Sequence, residues 1–568
     1  MLSTVRNTSI LAMLYFIGDL VGAFLAIGDL FEATPGGFVL LSIAFLNALM
    51  LGAGVGAILG LILPARIRER VRLPRPMLGL LTVLVATSAY SLRVDRQVET
   101  LPARPELTAT QAVPTLWIMI DTLRRDSLYD TQGVFSNAPH IGAWAQDTLI
   151  FDDVEATAGW TIPSLAALMT GVHNTTMDAS AGQLPPTYQT VAEYLRQAGF
   201  QTHAIVDNVI VEPRSGFGQG FESFTQRSAF RFVFSLPSFR VLPRIVHDKI
   251  RSIWPTAYDG AQDVTDQAIA RIHQTTENQA PLFLYVHYMD PHAPYYPHPD
   301  IAPDPADTED VDYYHFRDVA RSDVEPDITT PQLARLEHRY AGEIAYLDSH
   351  LHRLLQSWHA RFGKDAMVML TSDHGEEFLD HGHLGHGHTV HREIVNVPLL
   401  WQLPPSIMAA IDGDRVNHHP LSQIDILPTT LDVLGIQATE IPDTPAMQGQ
   451  SWLPWLRQEA VGPTTPLVSS HGRHGRRTYR YRVADDVYIK TLFDSGRATE
   501  HQFYDLTRDP REQNELSQGD NGNLSPRFED TKRAFEKYAR SLKNAAPSQL
   551  TPELTPDQES LRAIGYIE

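Results

Sequence analysis

Residues 366–391 read AMVMLTSDHGEEFLDHGHLGHGHTVH, an apolar run that ends in Asp373 and His374 and continues through His381, His383, His386, His388 and His391. The run predicts a buried strand, and its Asp-His pair falls at the carboxyl end. In open α/β sheets ligands bind outside that edge, and carboxylate with neutral imidazole is the donor set that borderline divalent ions take. The other reading is a solvated histidine-rich loop that binds metal only adventitiously.

Working outward, the same pattern recurs. PTLWIMID, LIFDDV, FQTHAIV, PLFLYVHYMD and VPLLWQL are continuous apolar runs of the kind expected for central parallel strands buried on both faces. Between them SLAALMTG, YQTVAEYLRQAG and PQLARLEHRYAGEIAYLDSHLHRLLQSWHARF place apolar residues at three and four spacing. Strands alternating with helices predict an α/β sheet with helices on both faces. Three strand ends carry potential ligands: Asp121, the segment His287 to His292, and Asp373 with His374. Beyond residue 465 a basic segment, the alternating YRYRVADDVYIKTLF and a helical pattern over 524–545 predict a small C-terminal subdomain, 466–568, after a catalytic domain over 113–465.

GWTIPSLAALMTG supplies a hydroxyl. Pro163 near the start of an apolar helical pattern marks a helix N-terminus, and Thr161 stands two residues before it. There a hydroxyl meets free N–H groups and the positive end of the helix dipole, which suits attack on an ester oxyanion centre. Thr161 could equally be a simple N-cap. Ser164 is the competing hydroxyl but falls inside the helix.

The first ninety-two residues have a different character. Segments 8–28 and 38–63 hold one acid, Asp19, between them and are long enough to span a hydrocarbon core of about 30 Å, and 77–92 is a shorter third span. No small-residue cleavage site followed by a polar start separates the first two, so anchoring is expected rather than a cleaved signal. Arg66, Arg68, Arg70, Arg72 and Arg75 face a lone Glu69 in one connecting loop, whereas the loop from Asp29 to Gly37 has only acids. The arginine loop is therefore expected in the cytoplasm, and everything after the third span outside it, tethered by a polar linker over 93–112. A net charge of −21 argues against nucleic acid as partner, and the absence of cysteine removes disulfides and thiolate chemistry.

From Pro114 onward the chain resembles the sulfatase family of the alkaline phosphatase superfamily. The resemblance is carried in order by DTLRRDSL, GWTIPSLAALMTG, YMDPHAPY, YAGEIAYLDSHL, TSDHGEEFLDHG, GHGHTVHREIVNVPLLW, SQIDILPTTLDVLG, FYDLTRDPREQNEL and LRAIGYI. It implies an alkaline-phosphatase/sulfatase-like α/β sheet and a divalent metal held by Asp121, Thr161, Asp373 and His374. It also implies His292 near the leaving group or on a second metal, His386 at the second-metal histidine of phosphoethanolamine transferases, and His388 where many relatives carry a lysine contacting the ester's anionic oxygens.

Two departures matter. Classical sulfatases carry Cys or Ser, followed by Pro, a small residue and Arg, so that the nucleophile can become formylglycine, whereas this chain has Thr161 and Leu165. Thr122 stands where a second Asp is usual, which tilts the site from calcium towards zinc or manganese. The apolar segments and the arginine loop thus lead to the expectation of an integral protein of a bacterial-type inner membrane with its catalytic domain outside the cytoplasm, and the resemblance adds its chemistry. It would be a metal-dependent hydrolase cleaving sulfate or phosphate esters through Thr161, without formylglycine. The alternatives are a phosphoethanolamine or glycerol-phosphate-type transferase acting on envelope lipids or glycans, and a catalytically inactive sulfatase-fold binding module.

Overall fold

A computed structural model describes residues 105–106 and 113–545, apart from internal segments of which 227–259 and 314–326 are the longest. The expected spans at 8–28, 38–63 and 77–92 lie outside the described residues, as does nearly all of the 93–112 linker. Among the described residues no helix is long and apolar enough to cross a membrane.

The sheet is built from the runs read above: β1 (Thr115–Ile120), β2 (Leu149–Glu155), β3 (Gln201–Val206), β4 (Ser223–Gln226), β5 (Leu282–Tyr288) and β6 (Met367–Ser372). A short hairpin, β7 (Glu377–Phe378) with β8 (Leu384–Gly385), precedes β9 (Asn396–Gln402), β10 (Val416–Asn417) and β11 (Leu421–Ser422). Strand order is β10-β2-β9-β6-β1-β5-β3-β4, with β11 also pairing β2. Strand β1 lies between β5 and β6, parallel to both, and every residue of it is buried. Along β1 the two-residue period sends Leu116, Ile118 and Ile120 into one core cluster with the Gly260–Gln274 and Thr330–Phe362 helices. Trp117 and Met119, equally buried, face the other side.

One expectation is corrected here. VPLLWQL forms β9, which runs antiparallel to both β6 and β2, so the sheet is mixed. A parallel return needs a crossover that carries the chain back to the opposite edge of the sheet. Between β6 and β9 the chain forms only the hairpin and the four-residue Arg392–Val395 helix, so it stays at the carboxyl edge and re-enters from there.

Strands β12 (Leu467–Arg473), β13 (Arg476–Val483), β14 (Asp486–Phe493) and β15 (Glu500–Asp505) form the antiparallel meander, covered by the Pro526–Ala545 helix. Arg480 and Arg482 fix this sheet to β2. Both are buried, Arg480 pairing Glu155 at 3.0 Å and Glu512 at 2.6 Å, and Arg482 pairing Glu155 at 2.9 Å and Asp153 at 2.5 Å.

Candidate active site

Three side chains converge where β1 and β6 end. Asp121 directly follows β1, and Asp373 and His374 follow β6. Because Ile120 pairs with Ser372, the parallel register brings Asp121 beside Asp373. All three are fully buried, and one donor atom from each lies within 4.8 Å of the others. His374 Nδ1 bonds the Gly375 carbonyl at 2.9 Å and so carries the proton, which leaves the Nε2 lone pair aimed inward, 3.4 Å from Asp373 Oδ2 and 3.9 Å from Asp121 Oδ1.

The remaining carboxylate oxygens are held from behind. Asp373 Oδ1 accepts the Thr122 amide at 3.2 Å and the His374 amide at 2.9 Å. Asp121 Oδ2 accepts Asn208 Nδ2 at 2.6 Å, with His287 Nε2 at 3.4 Å. Asp121 Oδ1 and Asp373 Oδ2, both buried, have no hydrogen-bond partner among the described residues. Two orphaned carboxylate oxygens and an imidazole lone pair facing one another fit a divalent cation, since burying them without one is costly. The electrostatics agree. Burial, and then the charge on Asp121, push the Asp373 carboxyl up to about 6. Burial opposes the charged form of His374, but Asp373 and Asp121 together hold its proton above the usual imidazole range. A cation bound there would relieve the carboxylate repulsion and take the place of that proton.

Thr122 holds a φ of +57°, a left-handed conformation unusual for a β-branched residue. That turn aims its amide at Asp373, while its carbonyl accepts the Tyr340 hydroxyl at 2.7 Å.

Thr161 opens the Thr161–Thr170 helix at the first helical position. The N-cap is Trp160, in an extended conformation, so Thr161 is not the cap. Its Oγ1 lies 3.4 Å from His374 Nε2, at the positive end of the helix. Ser164 is spoken for: its Oγ reaches the Asp373 carbonyl at 2.5 Å and Gln423 Oε1 at 3.0 Å. Leu165 is wholly buried.

His386 and His292 flank this group. The His386 ring centre is 4.5 Å from that of His374 and 5.0 Å from that of His292. Glu376 orients His386 through Nδ1 at 2.8 Å and itself accepts the Tyr295 hydroxyl at 2.9 Å. His388 belongs to a different group of side chains. Its Nε2 pairs with Glu377 at 2.8 Å and its ring stacks on His383, a separate cluster. Gly385 and Gly387 hold φ of +93° and +81°, and of His386 and His388 it is His386 whose ring lies against His374. The histidine-rich segment is no solvated loop, since His374, His388 and His391 are buried.

Asn208, Glu376 and the contact of His287 with Asp121 were not foreseen. Asn208 sits just past β3, so the strand-end rule applied to FQTHAIVDN would have found it.

Residues 115–436 match the family model described as Sulfatase. A choline-sulfatase of Rhizobium meliloti (strain 1021) is 23% identical over 453 residues, covering 72% of this chain and 83% of that protein. Among solved structures, a protein in complex with its substrate D-glucosamine-2-N,6-O-disulfate superposes with a TM-score of 0.57 at 18% identity, covering 77% of this chain and 100% of that one. The phosphonate monoester hydrolase of Agrobacterium radiobacter gives 0.56 at 19% identity, with 76% and 95% covered. These likenesses show a shared fold.

Proposed function

Since the chain belongs to the sulfatase family, whose members are ester hydrolases, we propose that it is a metal-dependent hydrolase of sulfate or phosphate monoesters that uses Thr161 as nucleophile. The observation that carries this reading is the 3.4 Å approach of Thr161 Oγ1 to His374 Nε2, beside two buried carboxylates that each keep one oxygen without a hydrogen-bond partner among the described residues. Asp121, Asp373 and His374 would hold the ion, with Thr161 reaching it. Bound there, a divalent cation lowers the pKa of a neighbouring hydroxyl and offsets charge on the ester oxygens.

The Thr161 oxygen attacks sulfur or phosphorus in line, forming a Thr ester as the bond to the leaving oxygen breaks. His292 and His386 border that space, and one of them takes up the proton Thr161 gives up and passes it to the leaving alcohol. Glu376 keeps the His386 ring in place through Nδ1. The Thr161 helix N-terminus offers positive potential to the transferred group. Water then cleaves the Thr ester, releasing sulfate or phosphate and restoring the hydroxyl. Relatives named as sulfatases support sulfate esters as substrates, and a neighbour of the same fold named as a phosphonate monoester hydrolase supports keeping phosphorus esters in the range to be tested. Thr161 cannot be oxidised to an aldehyde, which supports a route without formylglycine. Zinc or manganese is favoured over calcium, because His374 is a nitrogen donor and Thr122 supplies no carboxylate.

The apolar segments 8–28, 38–63 and 77–92 and the arginines between them support anchorage in an inner membrane with the catalytic domain outside the cytoplasm. The deciding experiment is hydrolysis of 4-nitrophenyl sulfate, phosphate and phenylphosphonate by the purified full chain, before and after chelation and after return of zinc, manganese or calcium. Turnover unaffected by Thr161→Ala, or by thorough chelation, would overturn the reading.

A further inference from the structure

Glu376 and Glu377 are neighbours with opposite allegiances. Glu376 turns to His386, and Glu377 turns to a second group of donors assembled by the hairpin. Glu377 pairs with Gly385 and Phe378 with Leu384, so His383 and His388 fall on either side of β8. One donor atom from each of Glu377, His383 and His388 lies within 4.8 Å of the others.

The site is built, not incidental. Glu377 is fully buried, and its Oε1 accepts the amides of His381 and His383, each at 2.8 Å. Those two bonds leave Oε2 facing His388 Nε2 at 2.8 Å. His383 Nδ1 lies 3.3 Å from the His381 carbonyl, an acceptor only, so the His383 proton sits on Nδ1 and its lone pair on Nε2. The two imidazoles stack with centres 4.7 Å apart. A buried carboxylate oriented by backbone amides, facing two imidazoles, is a donor set for zinc-class ions and a poor one for calcium or magnesium.

We propose that Glu377, His383 and His388 form a second metal site, for a zinc-class divalent ion, distinct from the one at Asp121, Asp373 and His374. Its role is to lock the β7–β8 hairpin, and with it the strand end that carries Glu376 and the loop that carries His386. The neighbouring group His381, His391 and Glu393 serves as the contrast. There His381 is spent on both nitrogens, pairing with Glu393 at 2.9 Å and bonding the Glu512 carbonyl at 2.8 Å, which describes an ion pair with Glu393 and a tie to the segment that follows β15.

The test uses tag-free full-length protein stripped with a chelator, then titrated with zinc and with cobalt(II), reading metal per chain and cobalt absorption. Wild type is expected to bind one equivalent more than His383→Ala or Glu377→Gln, with affinity at the lost site falling by at least ~10–100-fold. Zinc should raise the melting temperature of wild type further than that of His383→Ala, while the metal-free forms melt alike. Equal stoichiometry and affinity in wild type and His383→Ala would overturn the proposal. Should that variant fail to fold, Asp373→Asn decides: one retained equivalent that excess dipicolinate removes supports the second site, and none retained overturns it. An Asp373→Asn protein that binds as much as wild type would instead count against the active-site reading alone.

Discussion

Thr161 Oγ1 and His374 Nε2 lie 3.4 Å apart although they come from different layers, one from a helix N-terminus and the other from a strand end. Because Thr161 does not cap its helix, removing its hydroxyl should cost little stability. Thr161→Ala is expected to lower kcat by at least ~10³-fold with an unchanged melting temperature, while Thr161→Ser keeps measurable turnover. Steady-state kinetics beside calorimetry on the same preparations checks both halves.

Asp121 and Asp373 make the metal-free protein pay for its function. Two buried carboxylates aimed at one point repel, so Asp373→Asn should stabilise the chelated protein by about 1–2 kcal/mol while removing activity. A chelated variant that melts below chelated wild type would contradict this.

Arg480 ties β13 to Glu155 of β2 and to Glu512, all of them buried. Breaking one partner of such a pair strands the others, so Arg480→Ala should cost about 3–5 kcal/mol. Denaturant unfolding is the measurement, and a loss under about 1 kcal/mol would show the network to be dispensable.

His173 gives the acid limb of stability. It is buried, its Nε2 donates to the Val468 carbonyl at 2.6 Å, and burial drives its pKa down to about 4. The folded value lies below the unfolded one near 6.5, so the unfolded chain binds the extra proton between them. Stability from this group is therefore complete above pH 6.5 and declines as pH falls towards 4. Replacing His173 by Gln should flatten the melting temperature over that window, whatever it does to stability at neutral pH.

Much of this arrangement is legible in the chain itself. Apolar runs ending in Asp121 and in Asp373-His374 locate the convergence, because β1 and β6, buried along their whole length, carry no acidic or basic residue until they leave the sheet. The direction of β9 is not legible: VPLLWQL is equally apolar whichever way it runs, and only the missing crossover decides. The division of labour between His386 and His388, which accompanies positive φ at Gly385 and Gly387, is one that the G-H-G-H spelling permits without specifying. Asn208 escaped notice because one amide after a strand is commonplace. Its meaning comes from Asp121 across the sheet, contributed by a residue 87 positions away.

The return of β9 along β6 has a wider consequence. Since the chain between them begins and ends on the same rim, every residue from Asp373 to Val395 is confined to the neighbourhood of the site. That segment can gain or lose donors, or change length, without altering strand order. Diversification of chemistry in this protein's lineage would thus be concentrated in one stretch that topology leaves at liberty, while the strands beneath it stay as they are.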